Sequence, residues 1–109
     1  MKRSLGDIQP VVTSHNVGMK RVLLAANESE CGITQIAVTD LKAGEIAKAH
    51  IHTDMQEGFY VISGNLDIVL DGVIEHCKDE DFVWVKCGTS HELRAITDVR
   101  VMTIGCEGV

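Results

Sequence analysis

His50 and His52 stand one residue apart, and that spacing is a metal pincer. On an extended strand alternate residues point to one face with Cα atoms ~6.5–7 Å apart, so two imidazoles can share one ion at ~2.1 Å each. Glu57 opens the apolar run that follows the turn over 53–56, and an antiparallel return brings its carboxylate back beside the pair. The register of that turn leaves Asp54 and Gln56 as alternatives. His91 begins a later apolar run, after a turn at Gly88, and is the fourth candidate ligand. Three neutral imidazoles and one carboxylate leave open positions on an octahedral ion. Such a donor set suits divalent Fe, Mn, Ni, Co or Zn better than calcium or magnesium. His15 and His76 have no such partners in sequence and read as surface or hydrogen-bonded histidines.

Strand parity extends the site. Ile46 and Lys48 share the face of His50, and Phe59 and Val61 share that of Glu57, which makes Lys48, Phe59 and Val61 pocket candidates. Lys48 suits a substrate carboxylate or phosphate as a point charge, or else a solvated strand edge. Trp84, the only tryptophan, is either core packing or a stacking platform for a ring-shaped ligand. Tyr60 lies in the opposite phase from Glu57 and is expected outside the pocket. Cys87, four residues before the last histidine, reads as a small buried hydrophobe.

The elements that must position these groups are strands. Short apolar runs, rich in Val and Ile, occur at residues 21–25, 33–41, 45–52, 59–63, 66–70, 73–76, 82–85, 91–96 and 99–104, divided by Gly, Asp and Asn. Ser63-Gly64-Asn65 and Asp71-Gly72 sit between such runs. Asp-Gly is a favoured two-residue hairpin turn because both positions tolerate positive φ. Successive antiparallel hairpins predict a sandwich or barrel, which also removes exposed strand edges. Residues 1–20, punctuated by Gly6, Pro10 and Gly18, are expected to form an arm, a single strand or a subunit-exchange segment; residues 21–109 form one barrel domain.

Composition narrows the partners. At 109 residues the chain is one domain in size, and 45% hydrophobic with 24% charged residues is ordinary for a globular protein. Ten Lys plus Arg against 16 Asp plus Glu give a net charge of −6, the wrong sign for a nucleic-acid surface. No apolar run approaches the ~20 residues of a membrane span, and no apolar segment follows Lys2-Arg3, so a cytoplasmic location is expected. Cys31, Cys77, Cys87 and Cys106 form no C-x-x-C pair and read as free thiols.

With those residues in view, the sequence resembles the cupin superfamily. Its first motif, G-x5-H-x-H-x3,4-E-x6-G, is met at every specified position by Gly44, His50, His52, Glu57 and Gly64. The second, G-x5-P-x-G-x2-H-x3-N, is met at Gly88 and His91. Glu80 or Asp81 stands near the first Gly, Lys86 replaces Pro and Ala95 replaces Asn. The resemblance implies an all-β fold, an antiparallel double-stranded β-helix or jelly-roll barrel, with one divalent transition metal ion held inside by His50, His52, Glu57 and His91. It implies a small organic ligand or substrate in the barrel mouth, no nucleic-acid or membrane partner, and a homodimer. The expected activity is isomerase-like, with the ion acting as a Lewis acid on a carbohydrate-like, hydroxy or keto compound. An iron-dependent dioxygenase and a non-catalytic ligand-binding module are the alternatives. The second alternative is favoured if no titratable group beyond the ligands sits in the pocket.

Overall fold

The structure, a computed structural model, describes residues 1–108. Ten strands follow in chain order: β1 (Val11–Val12), β2 (Met19–Ala25), β3 (Ile33–Leu41), β4 (Ile46–His50), β5 (Met55–Ser63), β6 (Leu66–Leu70), β7 (Val73–Cys77), β8 (Phe82–Val85), β9 (His91–Ala95) and β10 (Val99–Glu107). Two 3-10 turns, Leu5–Asp7 and Ala26–Glu28, are the only helical elements among the described residues. No helix among them is long and apolar enough to cross a membrane. The strands form two antiparallel sheets, ordered β1-β2-β3-β10-β5-β8 and β4-β9-β6-β7. This is the expected all-β jelly roll.

Alternation of side chains sets the core. Along β10, Val99, Val101 and Thr103 point inward, and along β9, His91, Leu93 and Ala95 do the same. Val61, Leu66, Ile68 and Val101 are the largest fully buried aliphatic side chains, each worth about 1.5–3 kcal/mol of transfer out of water. They close the barrel by apolar packing between the sheets. The turn at Asp71-Gly72 joins β6 to β7 with φ of 46° and 83°, the paired left-handed geometry that Asp-Gly favours. Glu80 also adopts a left-handed φ, 73°, where the second cupin motif specifies glycine. The turn keeps the glycine-type backbone and accepts a side chain there at a cost of order 1 kcal/mol.

The chain enters the six-stranded sheet through a hairpin. β1 pairs with β2, and the loop over 13–18 closes with hydrogen bonds from the Thr13 amide to the Gly18 carbonyl, 3.3 Å, and from the Asn16 amide to the Thr13 carbonyl, 3.0 Å. Asn16 and Gly18 are left-handed, with φ of 61° and 75°. A Cβ at Gly18 would lie 2.6 Å from Leu41 Cδ2, so glycine lets this loop sit directly on the barrel.

Candidate metal centre

Three strands bring the four candidate ligands together. β5 delivers Glu57 to the interior of the six-stranded sheet, while β4 and β9 of the other sheet are paired with His50 opposite His91. One nitrogen or carboxylate oxygen from each of His50, His52, Glu57 and His91 lies within 4.8 Å of all the others. Glu57 Oε1 is 3.1 Å from His52 Nε2 and 3.2 Å from His91 Nε2. Bonds of ~2.1 Å at right angles about an ion separate adjacent donors by about 3 Å, so these spacings fit a coordinated ion.

Backbone carbonyls orient two of the rings. His50 Nδ1 donates to the Lys48 carbonyl at 2.9 Å, and His91 Nδ1 donates to the Thr89 carbonyl at 3.0 Å. With Nδ1 carrying the proton, each ring turns the lone pair of Nε2 toward the centre, which is how metal-binding histidines are commonly fixed. Electrostatics agree. Burial raises the Glu57 pKa, but the His91 hydrogen bond and the charges of His52, His91 and His50 outweigh it and hold the carboxyl below its ordinary range. Burial likewise lowers His91, which is 1% exposed, yet its bond to Glu57 and its contact with Thr89 carry it above the usual value. His50 is lowered, chiefly by burial.

The four other pocket candidates of the sequence divide clearly. Phe59 lines the cavity beside the ligands, its ring centroid 6.2 Å from that of His91. Val61, on the same face, lies deeper in the core with no exposed surface and does not line the cavity. Lys48 departs from strand parity because β4 is bulged. Ala47 pairs with Leu93 and His50 with His91, so Lys48 and Ala49 together oppose Glu92. Ala47 therefore takes the inward place and the Lys48 side chain is exposed; its carbonyl, not its ammonium, serves the site. Trp84 pairs with Gly58 and stands on the outer face of β8, 41% exposed, stacked on Phe82 and donating its indole N–H to Gln56 at 3.2 Å. Gln56 is thus turned outward, and Asp54 lies in the preceding bend outside the four-ligand cluster. His76 is on the surface, bonded to Asp67 at 2.7 Å.

Residues from the N-terminal hairpin complete the cavity. It has a volume of about 320 Å³, and Ser14, His15 and Lys20 line it together with Gln35, Thr39 and Thr103. The His15 ring packs on His50 with centroids 4.2 Å apart, and burial lowers its pKa. A fourth imidazole therefore joins the site, from a residue whose sequence surroundings carry no ligand spacing. Its place depends on a loop folding across the barrel, which no local periodicity encodes. A larger hollow of about 540 Å³, lined in part by Asp40, Glu45 and Arg100, contains none of the four ligands. Arg100 there is spent on Asp40, at 2.7 and 3.0 Å.

Comparisons with known proteins agree with this geometry. The Cupin domain family model matches residues 37–105. No curated protein matches the chain by sequence. Among solved structures, a predicted oxalate decarboxylase from Thermotoga maritima superposes with a TM-score of 0.91 at 20% identity, over 98% of this chain and 99% of that one. Ectoine synthase from P. lautus gives 0.84 at 19% identity, over 100% and 79%. A polyketide cyclase from Streptomyces resistomycificus gives 0.81 at 16% identity, over 98% and 79%. At such identities these structures share the fold, and their differing chemistries do not transfer with it. Sequence model, fold and the His50, His52, Glu57, His91 cluster converge: the chain belongs to the Cupin domain family.

Proposed function

We propose that this protein is a metal-dependent enzyme of the isomerase kind, moving a proton between neighbouring carbons of a small hydroxy or keto compound. His50, His52, Glu57 and His91 are the residues that hold a divalent transition ion. When bound, such an ion supplies Lewis acidity to adjacent substrate oxygens. The observation that carries the reading is His15, an imidazole on the cavity lining that is not one of the four ligands. A proton leaves a substrate C–H for a ring nitrogen of His15 and returns to the adjacent carbon while the hydroxyl proton passes to the neighbouring carbonyl oxygen, so nothing is oxidised overall and no co-reactant is consumed. Phe59, Ala47 and Leu93 give the cavity apolar walls that limit water around the reacting carbons, and its volume restricts the substrate to a small molecule.

Elemental analysis of protein purified without a nickel affinity step tests the centre, with about one equivalent of transition metal per chain expected. Incubation with hydroxyaldehydes and hydroxyketones in heavy water then tests the reaction, because proton transfer washes deuterium into the carbon beside the carbonyl. Oxygen uptake instead of exchange would move the protein to the dioxygenase class. A metal-loaded protein that binds such compounds without exchange would be a ligand-binding module.

We further propose that the active form is a homodimer joined through the outer face of β5 and β8. Phe82, Trp84, Tyr60 and Ile62 are exposed there side by side, an apolar surface of the kind that self-association covers. Light scattering is expected to give a dimer that Trp84→Glu converts to a monomer. A monomeric parent protein would overturn this assembly.

A further inference from the structure

We infer that the substrate of this site carries a carboxylate at a distance from its metal-binding oxygens, and that Lys20 receives it. The inference rests on the metal centre proposed above and adds the substrate class. Lys20 is the only lysine or arginine among the described residues that line the cavity. Its position follows from the sheet: Lys20 is paired with Thr39, and Thr39 with Val101 of β10, which places all three on the inward face.

The ammonium is held but not neutralised. Its one side-chain partner is the Gln35 carbonyl oxygen, which accepts a hydrogen bond at 2.8 Å. No carboxylate pairs with it among the described residues, which leaves two N–H donors of the ammonium and the amide N–H₂ of Gln35 uncommitted. Among the described residues the only acidic side chain lining the cavity is Glu57, and that carboxylate belongs to the proposed ligand set. Lys20 and Glu57 cancel, so a loaded site keeps the two positive charges of the ion. A partly buried ammonium beside an ion of the same sign is repulsive until an anion enters, and a buried charge without a partner is costly.

The surrounding groups specify which anion. Thr34 also lines the cavity, and its hydroxyl is buried with no hydrogen-bond partner. Thr39 and Thr103 add further hydroxyls to the same wall. One ammonium, one amide and hydroxyls match a single-charged, two-oxygen carboxylate. A phosphate dianion is more often met by arginine forks or a helix N-terminus, and the cavity wall has neither. The substrate class is therefore a small hydroxy or keto acid. Adjacent oxygens at one end meet the ion, and the carboxylate at the other end reaches Lys20.

Cobalt(II)-loaded protein makes this measurable, because the visible bands of the ion report ligand entry without any turnover. Malate has both ends, whereas lactate has the chelating end alone. Malate is expected to perturb the bands with an affinity at least about tenfold tighter than lactate, in line with a hydrogen-bonded charge pair. Lys20→Met should abolish that advantage and leave lactate binding unchanged, and Lys20→Arg should restore most of it. The inference is overturned if malate binds no tighter than lactate, if Lys20→Met leaves malate unaffected, or if it weakens both acids equally. Failure of cobalt to bind the parent protein would instead remove the metal centre, and this inference with it.

Discussion

The residues around the cavity arrive there in two ways. His50, His52, Glu57 and His91 come from β4, β5 and β9 and the turn after β4, and backbone pairing and carbonyl hydrogen bonds hold them. His15 and Lys20 come from the β1–β2 hairpin at the edge of the six-stranded sheet: a left-handed turn and the lack of a side chain at Gly18 seat the loop that carries His15, and pairing with β3 places Lys20. On the proposed reading the first group holds the ion and the second selects what it acts on, since among the described residues it supplies the only non-ligand imidazole and the only ammonium in the lining. Scaffold and selectivity are therefore carried by different stretches of chain, and substitutions in each should fail differently.

The largest effect falls on the ligand group. His50→Ala combined with His52→Ala is expected to abolish metal binding completely and with it all activity, leaving a folded barrel with an unchanged far-ultraviolet spectrum. Fold retention follows from the apolar contacts between the sheets: Leu66, Ile68, Val61 and Val101 are buried without help from the ion. Leu66→Ala alone, by contrast, should cost about 2–5 kcal/mol while leaving the ligands in place. Unfolding of the double variant would show that the ion fastens the two sheets, since the ligands bridge them, and the contrast between device and scaffold would collapse.

Replacing His15 sharpens the comparison from the other side. His15→Ala should retain about one equivalent of metal and lower kcat by about 10²- to 10⁴-fold, the range for loss of a positioned proton acceptor. KM should change little, since the ring is not among the charge-bearing contacts to substrate. Loss of metal in this variant would make His15 a fifth ligand instead.

These two groups were not equally legible in the sequence. The ligands could be read because strand alternation places His50 beside His52 and because the return at Glu57 is short, so local geometry suffices. Phe59 followed from the same parity with Glu57. Lys48 did not, because one extra residue in β4 shifts the inward place to Ala47, and a bulge leaves no mark in an apolar-polar pattern. Trp84 was ambiguous for a related reason: the phase of β8 is set by its pairing with Gly58, a partner 26 positions away that sequence periodicity does not name. His15 lay furthest out of reach. Its approach to His50 spans 35 positions and depends on where a short loop comes to rest.

Proton competition gives the finest separation of the two groups. His91 is raised above its ordinary pKa, chiefly because its bond to Glu57 outweighs the effect of burial. In the metal-free protein this raised value stabilises the fold fully below pH ~6.5, and the contribution is lost as pH rises through the folded value. Metal binding demands the neutral ring, so the two states favour opposite ends of the same window. Below the raised value, apparent metal affinity should therefore fall by at least about tenfold per pH unit, at least one proton being expelled for each ion bound. His15 is shifted the other way, lowered chiefly by burial, so it gives up its proton at lower pH than His91 does. His15→Ala should then leave the slope of metal affinity against pH unchanged, as isothermal titration with zinc across pH 5.5 to 8 can read. A change in that slope would couple the hairpin to the ion and merge the two groups into one.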